Sequence, residues 1–548
     1  MTGRTSPRFA DGVAVVLLAA TGLLLTFKTG FRGFFPFDQS IVFDGGYRVL
    51  AGQVPYKDFV MPFGPAAFWL QAIFFRLLGV SYFAYVFGAA AVNALAVIAS
   101  VTIVRLLLPG ERVLSYLAGL VTAVWFYPPF GTPWVDQTAF FFSYGGIVAL
   151  LAALKKDDRR RRGALLAVAG ALSLFSLLSK QNAGSFMLPI YPLLVALSSW
   201  PDRKKALRDF GAFAGGLTVT LLGFVTWLLV ASDVSVFNRY VIAMPSELGK
   251  TRLIEFVRIG FGLLRPYFGP RAPLALNLAV VAAVVAAVYA ISLARRKPNW
   301  PAGKVRGIYL AGAVAIYLAG FQHLFMNTTL NQQSNAYAFL GPIVAIGAAV
   351  VLRARPALHS GSGRIFKAAV LIALCVGLVF VVKDGVEVGM SRTVQDIYSD
   401  GRFDARLDIK GLEGLKWQDP LVMRGFDIYA NDLSRLIAYL RERRLNFFEF
   451  PDFTILYGLV GVPSPQPLLW FHEGVTYPPG GDRSLDSWIV RDLEKNDVGI
   501  VVIEQVAWLK TGERLDAFPE LKSYIYGNFV RRGQFGIFAV YERGGPGL

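Results

Sequence analysis

Residues 82–104 read YFAYVFGAAAVNALAVIASVTIV and contain no charged side chain. At about 1.5 Å per helical residue, this stretch is long enough to cross the roughly 30 Å of hydrocarbon in a bilayer. A basic residue, Arg105, follows it directly. Similar stretches recur along the chain, so the element that decides the fold is a repeated membrane-spanning helix.

Eleven such helices are predicted, and together they define an α-helical polytopic membrane protein. The composition agrees, because only 17% of the residues are charged, against roughly 25% in soluble domains. Phe63–Leu78 is also apolar but is predicted to be an interfacial or re-entrant segment, since a crossing there would move every later basic loop outside. The predicted spans are 10–27, 82–104, 113–127, 139–154, 164–179, 183–200, 210–230, 272–294, 307–324, 335–352 and 367–382.

The charges between these helices predict their orientation. Alternate loops carry basic clusters such as Lys155–Arg162 and Arg203–Lys205, whereas the loops at 128–138 and 325–334 contain no Lys or Arg. The positive-inside rule therefore places the N-terminus in the cytoplasm. The membrane is predicted to be the plasma (inner) membrane. The net charge of +18 has its origin in these topology signals, so nucleic acid is not a predicted partner.

The chain divides by charge into two predicted domains. Residues 1–382 hold 35 Lys and Arg against 13 Asp and Glu, and residues 383–548 hold 20 against 24. The first is the membrane module, with large external loops at 28–81 and 231–271. The second is predicted to be a small α/β domain on the external side, because it combines strand-like runs (Val498–Glu504, Phe535–Tyr541) with a helix-like run (Ala430–Arg444). The single Cys375 excludes an intramolecular disulfide.

Acidic residues are scarce in the membrane module, and most of them fall on its external side. A carboxylate among apolar side chains at a membrane boundary is partly desolvated, which makes it a candidate general base. The structural alternative is a carboxylate that caps a helix or pairs with Arg32 or Arg48. For Asp44 this alternative is preferred, because Asp44-Gly45-Gly46 is typical of a turn. The external acids are Asp38, Asp44, Asp58, Asp136, Asp233, Glu247 and Glu255.

Lys180-Gln181-Asn182 forms a short external turn that breaks the charge pattern. Burial of Lys180 requires an anionic partner, either a lipid phosphate or Asp136. The alternative is a lysine that extends its ammonium group to the interface.

Two further external segments could hold a ligand. The uncharged loop around His323, Asn327 and Gln332 is dense in amides and hydroxyls, which suit sugar hydroxyls or a pyrophosphate and equally suit helix capping. Arg239 and Arg265 lie in the second large loop, where they are candidates for a lipid phosphate or simply for a solvated surface.

Several site types are missing from the sequence. There is no GxxxxGK[ST] loop and no HExxH motif, and three histidines with one cysteine leave little for a zinc site. A carboxylate-bound Mg²⁺ or Mn²⁺ is left open, because its ligands can come from distant loops.

The layout resembles the GT-C superfamily of glycosyltransferases, in the branch of the protein O-mannosyltransferases and the bacterial lipid A aminoarabinose transferases. Three features carry the resemblance. The first loop contains Phe37-Asp38-Gln39, then LAGQVPYKDF at 50–59, then Gly64-Pro65; a helix ends externally at Ser179-Lys180-Gln181; and the C-terminal region contains Pro451-Asp452-Phe453 and Phe518-Pro519-Glu520-Leu521. Relatives often have Asp-Glu where this chain has Asp38-Gln39.

The resemblance implies an inverting transfer of a sugar from a polyprenyl-phosphate-linked donor. The acceptor is a glycan, a lipid or a protein at the outer face of the lipid bilayer. Asp38 matches the catalytic base of the family, and Asp136 matches a supporting acid. The predicted contacts of the donor phosphate, which needs cations or hydrogen-bond donors as it leaves, are Lys180, Gln181, Arg239 and Arg265. The predicted substrate contacts are Asp58, His323, Asn327 and Gln332.

Two other classes of function remain in competition. A transporter or flippase for lipid-linked saccharides would place polar groups near the bilayer midplane, whereas the charges here lie at loop ends. A non-catalytic membrane scaffold would not bring Asp38, Asp58 and Asp136 together.

Overall fold

The computed structural model describes residues 7–199, 202–247, 250, 310–314, 317–318, 338–353, 361–392, 397–398, 403–423, 426–506 and 510–544. The predicted span at 272–294, most of that at 307–324, and the four site candidates Arg265, His323, Asn327 and Gln332 lie outside these residues.

Helices joined by loops make up the first part of the chain in the described residues. A short π-helix spans Asn238–Ala243. The helices are α1 Pro7–Gly30, α2 Pro36–Leu50, α3 Ala66–Leu78, α4 Tyr82–Leu107, α5 Arg112–Trp125, α6 Val135–Leu154, α7 Arg159–Leu177, α8 Gln181–Met187, α9 Ile190–Ser199, α10 Arg203–Ala231, α11 Val234–Phe237, α12 Leu340–Arg353 and α13 Gly361–Ser391.

Four of the described helices are long and apolar enough to cross a membrane: Phe9–Gly30, Tyr82–Leu107, Val135–Leu154 and Arg203–Ala231. Helix α3 is apolar but has only 13 residues, which at about 1.5 Å each falls short of the hydrocarbon thickness. The chain is thus a polytopic helical membrane protein, and the count of eleven spans stays a prediction.

One predicted span is interrupted in the structure. The span expected at 183–200 consists of α8 and α9, separated by a turn at residues 188–189. Pro189 lies in this turn and has no backbone N–H, so it cannot donate the hydrogen bond that would continue α8.

The basic runs at 155–162 and 203–205 lie near each other at one end of the helix bundle. There the Arg162 guanidinium donates to the Asp209 carboxylate, with 2.9 Å between Nε and Oδ1, and both side chains are buried. Asp202 begins α10 by accepting a hydrogen bond from the Lys205 N–H at 3.0 Å. The opposite end of the bundle, formed by residues 30–82, 126–136 and 178–181, is called the site end below.

Helix α2 corrects the predicted turn at Asp44-Gly45-Gly46. All three residues are helical, and the two glycines face α3. A Cβ atom on Gly45 would lie 2.4 Å from the Phe68 ring, and one on Gly46 would lie 2.7 Å from Gln71 Cγ. These glycines therefore allow two helices to pack closely, and they do not mark a chain reversal.

The C-terminal part combines strands and helices. Its largest sheet has the strand order β6-β7-β9-β8, in which β6 and β7 are parallel and the other pairs are antiparallel. The strands are β1 Ile397–Tyr398, β2 Ala405–Arg406, β3 Lys416–Trp417, β4 Leu421–Met423, β5 Phe426–Ile428, β6 Asn446–Phe450, β7 Val498–Glu504, β8 Phe529–Phe535 and β9 Phe538–Arg543; the helices are α14 Ala430–Arg443, α15 Ile455–Val460, α16 Arg483–Lys495, α17 Thr511–Asp516 and α18 Pro519–Asn528.

The strand predicted at Val498–Glu504 and the helix predicted from Ala430 are confirmed, whereas Phe535–Tyr541 contains the turn between β8 and β9. Helix α13 continues to Ser391, beyond the predicted domain start at residue 383. The division into two domains stays a prediction.

Both faces of the large sheet are buried, against different partners. Phe448, Val501 and Ile503 face a core with α16 and α18. Phe447, Ile500, Val502 and Val540 face a second core that includes Phe34, Phe43 and Tyr56 of the first large loop. The sheet and the site end thus share one continuous apolar core.

Candidate active site

Asp136 and Lys180 form a close ion pair at the site end. Asp136 lies in the first turn of α6 and its side chain is fully buried, whereas the Lys180 side chain just before α8 is 18% exposed. Lys180 Nζ donates to Asp136 Oδ2 at 2.6 Å and lies 6.0 Å from the centre of the Trp134 ring. Of the two partners predicted for a buried Lys180, the structure provides Asp136.

Asp38 lies in the first turn of α2. Its neighbour Gln39 fixes the start of this helix: the Phe35 N–H donates to Gln39 Oε1 at 2.7 Å, and Gln39 Nε2 donates to the Phe130 carbonyl at 3.2 Å. Asp38 is therefore held on a well-anchored helix start. The carboxylates of Asp44 and Asp136 are buried and are each paired with a cation.

Tyr85, which the sequence analysis did not single out, connects the elements that carry the two aspartates. Its buried hydroxyl donates to the Gln39 carbonyl at 2.7 Å and lies 3.3 Å from the Pro133 carbonyl. The first contact is next to Asp38 and the second is three residues before Asp136. A tyrosine near the external end of an apolar span was the available signal, because a buried hydroxyl requires a partner.

Gln181 connects three loops. Its side-chain Nε2 donates to the Pro62 carbonyl at 2.9 Å and to the Val241 carbonyl at 2.7 Å. Both amide hydrogens thus have acceptors within the protein. Its predicted contact with a donor phosphate stays a prediction.

The Gly64-Pro65 and Ser179-Lys180-Gln181 motifs, which are far apart in sequence, lie next to each other. The Ala66 N–H donates to the Leu178 carbonyl at 3.1 Å. A Cβ atom on Gly64 would lie 2.1 Å from the same carbonyl oxygen, closer than van der Waals contact permits. Glycine at position 64 is what allows the first loop to reach the end of α7.

We expect Gly64→Ala to lower the melting temperature of the purified protein, because backbone atoms must move apart, at a cost of about 1–3 kcal/mol. Thermal unfolding followed by intrinsic fluorescence measures this. Gly163→Ala in α7 is the matched control: a Cβ there meets nothing within 4 Å, so it should be neutral or slightly stabilising. Equal melting temperatures for the two variants would contradict the tight packing at Gly64.

Asp58 and Arg239 make structural contacts of their own. Asp58 Oδ2 accepts a hydrogen bond from the Val54 N–H at 2.6 Å, which closes the turn at 54–58. The exposed Arg239 guanidinium pairs with Asp482 and donates to Ser484 Oγ at 3.1 Å, which attaches the second large loop to the start of α16. Their predicted contacts with substrate and donor phosphate stay predictions.

The structural alternative for Asp44 is confirmed as an ion pair with Arg48. The two side chains are fully buried, with 2.8 Å between Arg48 Nε and Asp44 Oδ2. Arg48 also donates to the carbonyls of Gln466 at 2.7 Å and Leu468 at 3.2 Å. Burial raises the pKa of Asp44 to about 6, against the opposing effect of Arg48. This pair therefore joins α2 to the C-terminal part and is not the candidate base.

Within the described ranges, no three His, Cys, Asp or Glu side chains converge as a metal site would require. The possible Mg²⁺ or Mn²⁺ therefore stays open.

Known proteins resemble this chain in part of the sequence and in the fold. Residues 62–229 match the family model described as dolichyl-phosphate-mannose-protein mannosyltransferase, and the curated proteins contain no match to the chain. The crystal structure of ArnT from Cupriavidus metallidurans bound to undecaprenyl phosphate is similar over 97% of this chain and 98% of that chain, at a TM-score of 0.53 and 12% identity. AglB from Archaeoglobus fulgidus, in complex with an inhibitory peptide and a dolichol-phosphate, is similar over 99% of this chain and 75% of that chain, at a TM-score of 0.46 and 12% identity. The likeness to ArnT confirms the fold that the sequence resemblance implied.

Proposed function

Because this membrane chain has the GT-C fold, we propose that it transfers a sugar from a polyprenyl-phosphate-linked donor to a glycan, lipid or protein acceptor. The site end faces the outside in this proposal, and Asp38 is the general base. The acceptor hydroxyl oxygen attacks the anomeric carbon opposite the phosphate, with inversion, while its proton passes to Asp38. The bond from the anomeric carbon to the phosphate oxygen breaks, and its electron pair leaves with the polyprenyl phosphate.

The observation that carries the proposal is the Asp136–Lys180 pair at the site end. Lys180 Nζ has one hydrogen-bond partner among the described residues, Asp136. An ammonium group has three N–H donors, so two can reach the leaving phosphate. Preorganised positive charge at that position stabilises the charge that develops in the transition state.

Asp136 holds this ammonium group in place. Its carboxylate is buried at the N-terminus of α6, where the helix dipole favours a negative charge. The ion pair fixes the position of the ammonium group, and the exposed part of the lysine faces the site in this proposal. Asp136 therefore supports the phosphate ligand and does not take the acceptor proton.

Some of the remaining candidates have contacts in the structure, and the others are proposed from the sequence. Gln181, Asp58 and Arg239 hold the loops that surround the site. Arg265 is proposed as a further phosphate ligand, and His323, Asn327 and Gln332 as substrate contacts, on the sequence argument alone.

The positions of buried charge support an enzyme over a transporter. In the four described helices that are long enough to span a membrane, the buried ionic side chains lie within about two turns of a helix end, as at Asp136 and Asp209. A transporter would need such groups near the bilayer midplane. A non-catalytic scaffold does not account for the buried Asp136–Lys180 pair, whose desolvation is costly.

The test is a panel of polyprenyl-phosphate sugars incubated with the purified full-length protein, with released polyprenyl phosphate as the readout. We expect release with at least one donor, and water-soluble nucleotide sugars serve as the negative control. Release from nucleotide sugars alone would overturn the lipid-donor assignment.

A further inference from the structure

Two carboxyl groups lie side by side in the large sheet. Glu449 on β6 and Glu504 on β7 are fully buried. Their strands are parallel neighbours, with Glu449 opposite Val502, so both side chains lie on the face that shares its core with the first large loop. Glu504 is the next residue of β7 on this face after Val502, so the two carboxyl groups are close enough to interact.

The hydrogen bonds of this pair are incomplete unless a proton lies between them. Glu504 Oε1 accepts from the N–H groups of Asp452 at 3.0 Å and Phe453 at 2.8 Å. Among the described residues, no hydrogen bond of ordinary distance and angle reaches Glu504 Oε2 or either Glu449 oxygen, and the Phe453 N–H is the one backbone donor close to Glu449. A shared proton supplies the missing donor.

The nearby cations are already engaged by other acids. Arg514 pairs with Asp452 at 2.7 Å, and Arg48 pairs with Asp44 at 2.8 Å. The remaining titratable neighbours are His472, which lies near Asp452, and Tyr457, whose hydroxyl accepts the Glu449 N–H at 2.9 Å. No salt bridge reaches either glutamate in the described part of the chain.

The physical consequence is that the pair holds one proton at neutral pH. Desolvation by burial raises the pKa of both carboxyls, and the charge of Glu504 raises the pKa of Glu449 further. Two ionised carboxylates in contact would repel each other without compensation.

The pair also supports a contact that reaches the candidate site. Phe453, whose N–H Glu504 accepts, packs its ring edge-on against Phe34 at 5.8 Å and against Phe538 at 5.2 Å. Phe34 in turn contacts Tyr82 at 6.0 Å. Two residues after Phe34, α2 begins with Asp38 in its first turn.

We infer that Glu449 and Glu504 are positioning residues: their shared proton holds the 452–453 backbone, and through Phe453 and Phe34 it holds the helix start that carries Asp38. Loss of this proton in alkaline solution loosens that contact. The effect on catalysis rests on the proposed function, whereas the effect on stability does not.

The thermal test uses the full-length protein. A carboxyl whose pKa is raised on folding contributes stability that is present below the ordinary pKa of glutamate, about 4.3, and lost as the pH rises through the raised pKa. We expect the melting temperature to fall across that window in the wild type. In Glu449→Gln the amide donates permanently to Glu504, so the fall should be much smaller.

Two further variants make the result decisive. Glu504→Gln also supplies a permanent donor and should flatten the profile in the same way, which keeps the test valid if one variant folds poorly. Glu494→Gln changes an exposed side chain of α16 and should leave the wild-type profile. The inference is overturned if both pair variants retain the wild-type fall in melting temperature.

The catalytic arm measures kcat against pH with an active donor. The wild type should lose up to about tenfold per pH unit on its alkaline limb, and Glu449→Gln should move this limb to higher pH. A limb that stays in place while the thermal profile flattens would remove the link to Asp38 and leave a role in stability only. A failure of every donor would count against the proposed function and leave the thermal result standing.

Discussion

Asp38→Asn should remove most of the transfer activity, by about 10²–10⁴-fold in kcat, and leave the melting temperature nearly unchanged. The loss follows because a positioned base contributes about this much, and an amide cannot accept the proton of the acceptor hydroxyl. Stability should persist because asparagine has nearly the same size and shape as aspartate, and the hydrogen bonds of Gln39 with Phe35 and Phe130 at the start of α2 remain in place. Release of polyprenyl phosphate under saturating donor measures kcat.

Asp233→Asn is the matched control for this substitution. Asp233 is also an aspartate at a helix start, where it accepts the Ser235 and Val236 N–H groups, but it is exposed. Asparagine is a good N-cap, so activity should stay near that of the wild type. Transfer at a near-normal rate by Asp38→Asn would reject Asp38 as the base.

The second large effect concerns Lys180→Ala, which should weaken donor binding and also destabilise the protein. The destabilisation, about 3 kcal/mol, follows because the buried Asp136 carboxylate loses its counter-ion. Binding of a polyprenyl phosphate to the purified protein, measured beside thermal unfolding, would record both losses. The single variant alone therefore does not separate a ligand role from a structural role.

The double variant Lys180→Ala with Asp136→Asn separates them. A neutral amide at position 136 needs no counter-ion, so much of the lost stability should return. Donor affinity should stay low, because the ammonium group that would contact the phosphate is still missing. If affinity recovered together with stability, Lys180 would be a partner of Asp136 and nothing more.

Hydropathy and charge were sufficient to predict the membrane class, since a long uncharged stretch such as 82–104 has few other stable environments. Hydropathy and charge did not predict the helical structure within the first large loop. Gly45 and Gly46 look like a turn when only the local sequence is considered. Their role depends on Phe68 and Gln71 in another helix, and such a packing requirement becomes visible only when the partner is known.

The candidate site was partly predictable for a similar reason. A lysine at a short external turn indicated that an anionic partner was needed, and Asp136 was one of two partners considered. The role of Gln181 in joining Pro62 and Val241 could not be predicted, because it depends on two backbone carbonyls that have no signature in the sequence. The contact between Glu449 and Glu504 likewise could not be predicted, because it depends on the pairing of β6 with β7.

The core shared by the large sheet and the first large loop has a consequence for the order of assembly in the cell. Phe34, Phe43 and Tyr56 leave the ribosome long before Phe447 and Val502, their partners in this core. At about 5–20 residues per second, the delay is on the order of tens of seconds. During synthesis the apolar side of the loop therefore has to rest on the membrane surface or on a chaperone, and the catalytic aspartate of the proposal takes its final place only when the last strands arrive.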